Sequence, residues 1–184
     1  MFDKKSQSGY KYLLSYQYSL VICDFTQEFC KRYLPGRELL RQRDQMTQAA
    51  RSGKQNIAEG YEFQSLESYI KLLGVAKGSI RELLEDYEDY IRQNHLKLWP
   101  KDSTEMRELR ELRVMRDPFP HIPQSPHLPY EIELACNLMI MLCQRTTYLL
   151  NKQIISLREK FVREGGFREK LFRERLKVKK INTL

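Results

Sequence analysis

The residues whose types could do chemistry are the cysteines, the histidines, one polar pair, and a large excess of cations. Cys23 and Cys30, like Cys136 and Cys143, are spaced by seven. On a helix that spacing puts both thiols on one face but about 10 Å apart, too far to hold one metal ion unless a second helix contributes. They read as small core residues, with four thiols from two helices converging on zinc as the alternative. His95, His121 and His127 have no carboxylate or cysteine beside them at ligand spacing, so no metal is expected there. Asn56 and Glu59 bracket Ile57 and Ala58, and such a pair can satisfy loose backbone donors where one helix turns into the next. No histidine, second acid or nucleophile is placed to make Glu59 a general base, and no phosphate loop is present. The expectation is a protein that is not an enzyme, with no metal and no cofactor.

Cations facing phosphates are the remaining chemistry. Lys and Arg number 32 against 24 Asp and Glu, a net charge of +8 at pH 7. The excess is concentrated, because residues 158–184 hold ten basic and four acidic side chains, net +6, leaving +2 for the other 157. Arg163, Arg168, Lys170, Arg173, Arg175, Lys177, Lys179 and Lys180 are the tail cations expected to meet a polyanion. Upstream, Arg37 and Arg41 share a helical face by their i,i+4 spacing, and Arg51 and Lys54 share another by i,i+3. Glu38, Asp44 and Glu59 lie among them, which leaves open whether this face binds phosphate or is only solvated. A basic face binds nucleic acid by releasing its counterions, so affinity falls steeply with salt and carries little sequence readout. Two other classes compete: a tail helix or proline strap docked in a protein partner's groove, and a basic amphipathic helix lying on an anionic membrane. Glu164, Glu169 and Glu174 weigh against the membrane.

Helices must position these groups. After Ser65, apolar residues fall at Leu66, Tyr69, Ile70, Leu73, Ala76, Ile80, Leu83, Leu84, Tyr87, Tyr90 and Ile91, one stripe that needs burial against other helices. Gly74 and Gly78 would each cost about 1 kcal/mol relative to alanine inside this helix, and their spacing suggests a bare face for tight helix packing. A first helix is expected over residues 8–33, with Leu14, Tyr18, Val21, Phe25 and Phe29 inward and a second apolar row at Leu13, Tyr16, Leu20 and Cys23. A stripe that broad suits contact with another subunit. A second helix over residues 37–59 points Leu39, Met46, Ala50, Gly53 and Ile57 inward, with Ala49, Ala50 and Gly53 marking a close crossing.

The stretch from residue 95 to 129 is longer than an ordinary helix connection of about two to eight residues. Its first part, residues 102–116, reads as a short helix with a D-x-x-E start, packed through Met106, Leu109 and Leu112. Arg107, Arg110, Arg113 and Arg116 recur there every three residues, but five basic residues meet five acidic ones over residues 101–117, as on a salt-bridge-laced surface. Pro118, Pro120, Pro123, Pro126 and Pro129 then favour an extended strap. A last long helix over residues 129–163 carries Ile132, Ala135, Leu138, Met139, Leu142, Thr146, Leu149 and Leu157 inward, and Gly165 and Gly166 stop it. Residues 164–184 add a basic helix with Phe167, Leu171, Phe172, Leu176 and Val178 as its apolar members, the phenylalanines being explained by packing.

The fold class is therefore all-α: an up-down four-helix bundle over residues 1–163, with a helical and proline-rich insertion between helices three and four, and a C-terminal extension over 164–184. A composition of 41% apolar and 30% charged residues suits a soluble helical protein. No apolar run reaches the roughly 20 residues that span a bilayer, and the first residues lack a signal peptide's apolar core, so a cytoplasmic location is expected.

The run Asn56-Ile57-Ala58-Glu59-Gly60, followed by a helix carrying Ala76-Lys77-Gly78-Ser79 and then Glu82-Leu83, resembles a bacterial four-helix-bundle family. Its members include proteins encoded in intervening sequences of large-subunit ribosomal RNA and the accessory variability proteins of diversity-generating retroelements. The resemblance covers about residues 10–94. It implies an up-down bundle assembled into a homopentamer, with a basic surface that in the retroelement members engages RNA and a reverse transcriptase. The chain departs from the family just before the motif: Arg51-Ser52-Gly53-Lys54-Gln55 stands where an apolar, proline-containing segment is usual, which makes this surface more basic.

Overall fold

The computed structural model of the chain describes residues 9–63, 65–112 and 127–181. Every regular element among them is a helix. A 3-10 turn, Gly9–Tyr12, precedes α1 (Leu14–Tyr33), α2 (Leu40–Glu62), α3 (Leu66–Gln93), a short α4 (Thr104–Glu111), α5 (Ile132–Glu164) and α6 (Phe167–Ile181). The four long helices close around one core: α1 packs on α2, α2 on α3, α3 on α5, and α5 back on α1. Hydrogen bonds fix which ends lie together. Ser15 Oγ donates to Gln153 Oε1 (2.9 Å) and Gln153 Nε2 to the Tyr69 hydroxyl (2.5 Å), so the starts of α1 and α3 lie beside the later part of α5. At the far end Arg32 donates to the Leu128 carbonyl (2.8 Å) and the Tyr33 hydroxyl to that of Tyr130 (2.8 Å). Between them, the fully buried Tyr87 hydroxyl donates to Thr26 Oγ1 at 3.0 Å, so its burial leaves no polar group unpaired.

Glycines of α2 face α3 at close range. A side-chain carbon at Gly53 would stand 2.6 Å from Ile80 Cδ1, and one at Gly60 would stand 2.8 Å from Tyr69 Cδ2 and 3.2 Å from Leu72 Cβ. Glycine therefore lets the two backbones meet. The helix expected to end at residue 59 continues through Gly60 to Glu62. Gly74 and Gly78 overturn the expected tight contact: both face outward, with nothing within 4 Å of either added carbon.

Other boundaries shift for local reasons. The first helix is interrupted at Leu13, whose extended backbone (φ −74°, ψ 124°) caps α1, so Leu13 packs against the core while Leu14 is 50% exposed. Residues 36–39 form a turn before α2, with Leu40 N–H donating to the Arg37 carbonyl at 3.2 Å. Ser103, not Asp102, caps α4 by accepting the Met106 N–H at 3.1 Å. Arg107 and Arg110 donate to the carbonyls of Asp102 (3.1 Å) and Lys101 (2.8 Å), so both arginines tie down backbone in place of the expected carboxylate pairs. Met106 and Leu109 are buried as expected, whereas Leu112 is partly exposed. Arg113, Arg116, His121 and the prolines from Pro118 to Pro126 lie outside the described residues. Pro129 precedes α5 and does not start it. Glu131 is the cap, and its carboxylate accepts from the backbone N–H of Glu133 (2.8 Å) and of Leu134.

The chain between α3 and α4 is pinned to α5 by two polar side chains. Buried Asn137 accepts the Trp99 N–H (2.9 Å) and donates to the Lys97 carbonyl (3.0 Å), while Glu133 accepts the Trp99 indole N–H (2.8 Å) and the Lys97 N–H (3.0 Å). These bonds hold the Glu133 carboxyl below its ordinary range, the Lys97 N–H first and the indole second.

Two tests follow from the packing. Gly60→Val should destabilise the chain by about 1–3 kcal/mol in urea unfolding through overpacking, whereas Gly74→Ala and Gly78→Ala should each stabilise it by up to about 1 kcal/mol. Trp99 is the single tryptophan, so its fluorescence reports the pinning. Because the Glu133 pKa is lowered in the folded state, the contact persists below the ordinary glutamate value and is lost as pH falls through the lowered one. Trp99 emission should then shift red with a midpoint below that ordinary value, and Glu133→Gln should flatten this transition.

Candidate nucleic-acid interface

Inward positions of α2 at Met46, Ala50, Gly53 and Ile57 leave its opposite side to polar residues, and this ridge holds the upstream cations. Two grooves flank it. Between α2 and α3, Arg41, Asp44, Gln45, Gln48 and Ser52 face Ser79 and Glu82 across a space of about 670 Å³. Between α2 and α1, Arg51, Lys54, Thr47 and Gln55 face Cys23 and Gln27 across about 610 Å³, again with Asp44 and Gln48 at the border. Arg41 and Lys54 are thus separated by about 20 Å along one helix, a rise of 1.5 Å per residue over thirteen positions. Arg37 is exposed in the turn before α2, at the same end as Arg41.

Electrostatics separates the two grooves. The second half of α3 carries Glu82, Glu85, Asp86, Glu88 and Asp89, and Glu82 lines the α2–α3 groove. Burial, reinforced by Glu82, Asp89 and Glu85, pushes the Asp86 carboxyl up to about 6. A phosphate would meet repulsion there. The α1–α2 groove has only Asp44 as an acid and holds both Arg51 and Lys54, which makes it the better seat for an anion. Spacing alone found Arg51 and Lys54 but missed Gln45, Gln48 and Gln55. Amide side chains are neutral and give no charge signal, although they can hydrogen-bond to base edges, sugars or phosphates.

The tail cations lie elsewhere. Gly165, at φ 77°, ends α5, and Gly166 packs near Glu67 at the start of α3. The Ser65 hydroxyl holds the Glu67 carboxyl below its ordinary value, with a smaller contribution from Arg168. From there α6 runs on with Phe167, Leu171, Phe172, Leu176 and Val178 all at least 38% exposed, so the expected burial of its phenylalanines is not observed. Arg163 and Arg168, on either side of the glycines, and Lys170, Arg173, Arg175 and Lys177 are also exposed. Lys170 pairs with Glu164 at 3.2 Å and Arg173 with Glu169 at 3.8 Å, both on the surface. Lys179 and Lys180 belong to the last turn of α6. The two cation sets do not form one patch: Arg37 and Arg41 sit at the opposite end of the bundle from α6, with Arg51 and Lys54 between.

The polar motif resolves into structural parts. Asn56 donates to the Ser52 carbonyl (2.9 Å) and hydroxyl (3.2 Å), and Ser52 Oγ meets Ser79 Oγ at 2.8 Å across the α2–α3 contact. Asn56 thus acts within α2 and not in the turn where it was expected. Glu59 is exposed, also inside α2, and lines a space of about 560 Å³ with Tyr10, Ala58, Glu62 and Phe63. All four cysteines are buried and free. Burial pushes the Cys30 and Cys136 thiols up to about 11 and 12 and also raises Cys143 and Cys23, the last opposed by Lys54 and Arg51. Neutral thiols in an apolar core are poor metal ligands, and among the described residues no group of three or more His, Cys, Asp or Glu is arranged to hold a metal ion. No described helix is long and apolar enough to cross a membrane.

A helical core built from α1 to α3, with the N-I-A-E-G run at the α2–α3 contact, defines the class to which the sequence pointed. Residues 11–112 match the 23S rRNA-intervening sequence protein family; this is more than half of the chain, and the chain belongs to that family. The matched span includes the α2 ridge and ends before α5 and α6. No curated protein and no solved structure matches the chain.

Asp86 offers a test of the acidic side. Its folded-state pKa is raised to about 6, so folding takes up a proton between the ordinary aspartate value and about 6, and stability falls as pH rises through that window. Asp86→Asn should raise the melting temperature at pH 7 and change it little near pH 4, measured by thermal denaturation at both values.

Proposed function

We propose that this chain is a non-catalytic RNA-binding accessory protein, an up-down four-helix bundle with a helical, proline-rich insertion, that holds RNA through its basic tail and the α1–α2 side of its α2 ridge. The observation that carries this reading is the charge distribution: residues 158–184 hold a net +6, and the α6 cations Arg168, Lys170, Arg173, Arg175 and Lys177 are exposed. Membership of a family named for an intervening sequence of 23S rRNA favours RNA over DNA. In this reading Arg51 and Lys54 neutralise phosphates beside the Gln48 and Gln55 amides, and Arg173, Lys177, Lys179 and Lys180 extend the contact along the tail. In this reading the role is to hold and present RNA and not to cleave it. A cytoplasmic setting is part of this reading, and the family resemblance adds a ring of five copies and a reverse transcriptase as the enzyme served; these last two parts rest on that resemblance.

An anisotropy titration of the full chain against a structured RNA and a duplex DNA of equal length, between about 50 and 200 mM salt, tests the reading. Tighter binding to the RNA is expected, with log affinity falling linearly against log salt. Replacing Arg168, Arg173, Arg175 and Lys177 together by Glu should weaken binding by at least about tenfold and flatten the salt slope, by up to about one unit for each lost phosphate contact. Absence of binding even at the lowest salt overturns the proposal.

A second reading, a protein-binding oligomeric scaffold, is favoured by one specific observation: the tail helix keeps large apolar side chains in water, with Phe172 63% and Val178 57% exposed. Phosphate contacts alone do not call for those residues.

A further inference from the structure

Most helices of the bundle end on a cation: Lys31 and Arg32 in the last turn of α1, Arg92 in that of α3, Arg110 in α4 and Arg163 in α5. Such residues offset the partial negative charge that a helix gathers at its C-terminus. Helix α2 does the opposite. Its last turn has no basic residue and carries Glu59 and Glu62, which share one face by their i,i+3 spacing. Both side chains are exposed, and among the described residues neither has a salt bridge or a side-chain hydrogen bond. In a chain with 32 basic residues to 24 acidic ones, this end of α2 is left with uncompensated negative charge, which costs the fold stability.

Aromatic rings stand beside these acids. Tyr10, Ala58 and Phe63 wall the space of about 560 Å³ that Glu59 and Glu62 edge. Tyr10 is held edge-on against Tyr16 (ring centroids 4.7 Å) and Tyr61 (6.4 Å), and Tyr61 in turn against Tyr69 (6.0 Å), so the wall is positioned before anything binds. A phosphate would be repelled here, and a purely apolar group would strip water from two carboxylates without replacing it. A guanidinium meets every condition: its planar face lies on rings, its forked N–H groups match carboxylates, and its charge offsets the helix end. An ammonium is more strongly hydrated and has no planar face to stack.

We propose that the C-terminal end of α2 is a docking site for an arginine on an exposed basic segment of a partner protein, with Glu59 and Glu62 taking the guanidinium and Tyr10 and Phe63 lining its face. Charge complementarity selects the occupant. The subunit's own first tail cation, Arg168, acts on Glu67. Tyr61 and Phe63, 41% and 54% exposed, leave ring surface outside the seat for the residues that flank the arginine, which suits a peptide better than a free amine. The site faces a different ligand from the cationic surfaces, so the inference goes beyond the RNA reading and does not depend on it.

Anisotropy of a labelled glycine–serine peptide bearing two arginines, titrated with the full chain in the absence of nucleic acid, tests the proposal beside lysine and glutamine versions of the same peptide. Because the chain carries a net charge of +8 and repels cations as a whole, capture of a basic peptide reports a local site. The arginine peptide should bind several-fold more tightly than the lysine one, and the glutamine one should not bind. Glu59→Gln with Glu62→Gln should weaken arginine binding by at least about tenfold, and Phe63→Ala by several-fold, with far-ultraviolet dichroism unchanged. The double variant should also melt roughly 1–4 °C higher, since two charges leave the unfavourable end of a helix dipole. A lower melting temperature would show that the carboxylates serve the fold and would overturn the site. So would equal affinity for arginine and lysine, or binding indifferent to the double variant. Binding seen only after Arg168, Arg173, Arg175 and Lys177 are changed to Glu would mean that the chain's own tail fills the seat, which also overturns it. RNA affinity of the double variant should be retained, and its loss would make this end part of the RNA surface instead. The peptide contains no phosphate, so a wild type that captures it but binds no RNA would sink the RNA reading and leave the docking site standing.

Discussion

The contact between α2 and α3 sets which side of α2 faces outward. Gly53 and Gly60 let Ile80 and Tyr69 close onto the α2 backbone, and the pair Ser52–Ser79, steadied by Asn56, crosses the same seam. A close helix pair favours small residues on the inner face of α2, and its large buried residues are few: Met46 and Ile57, spaced by small ones. The polar residues of α2 must then face outward, and the ridge of Arg41, Gln48, Arg51 and Gln55 follows from the packing beneath it. With α2 seated, Tyr87 reaches Thr26, and α5 closes the remaining side.

The same constraint explains what the sequence revealed. Periodicity identified the core of α3 nearly residue by residue, because Leu73, Ala76, Ile80, Leu83 and Tyr87 repeat on one stripe and are fully buried. It misjudged the glycines of α3: Gly74 and Gly78 looked like packing residues and face outward, whereas Gly60 is the one that packs. Glycine carries no side chain whose polarity could tell the two cases apart, and only the partner helix decides. Caps shifted by one to three residues for a similar reason: Ser103 and Asp102 are equally good caps by type, and the fold uses Ser103.

Of the candidate site, the sign and location of charge were legible and the grouping was not. A count placed the excess cations after residue 158, and spacing paired Arg51 with Lys54. That Arg37 and Arg41 stand at the far end from the tail, and that Glu82 spoils the groove next to Arg41, depends on helix direction and on which helices touch. Burial of α6 was expected from its apolar residues, since an amphipathic pattern states that a face wants cover. It does not state whether that cover lies in the same subunit.

The family signature and the proposed contacts occupy different residues, and the physical reason bears on how both are read. Asn56, Ile57 and Gly60 point into the α2–α3 seam or along the helix, where a change of size or polarity disturbs two backbones at once. Such positions report architecture. Contacts with a polyanion need only positive charge at about the right place, because counterion release is indifferent to which lysine or arginine supplies it. A basic tail beyond the matched span can therefore carry much of the binding while contributing nothing to the signature. Glu59 belongs to neither group. It sits inside the signature yet faces outward beside Tyr10 and Phe63, and nothing in the α2–α3 contact requires a carboxylate there.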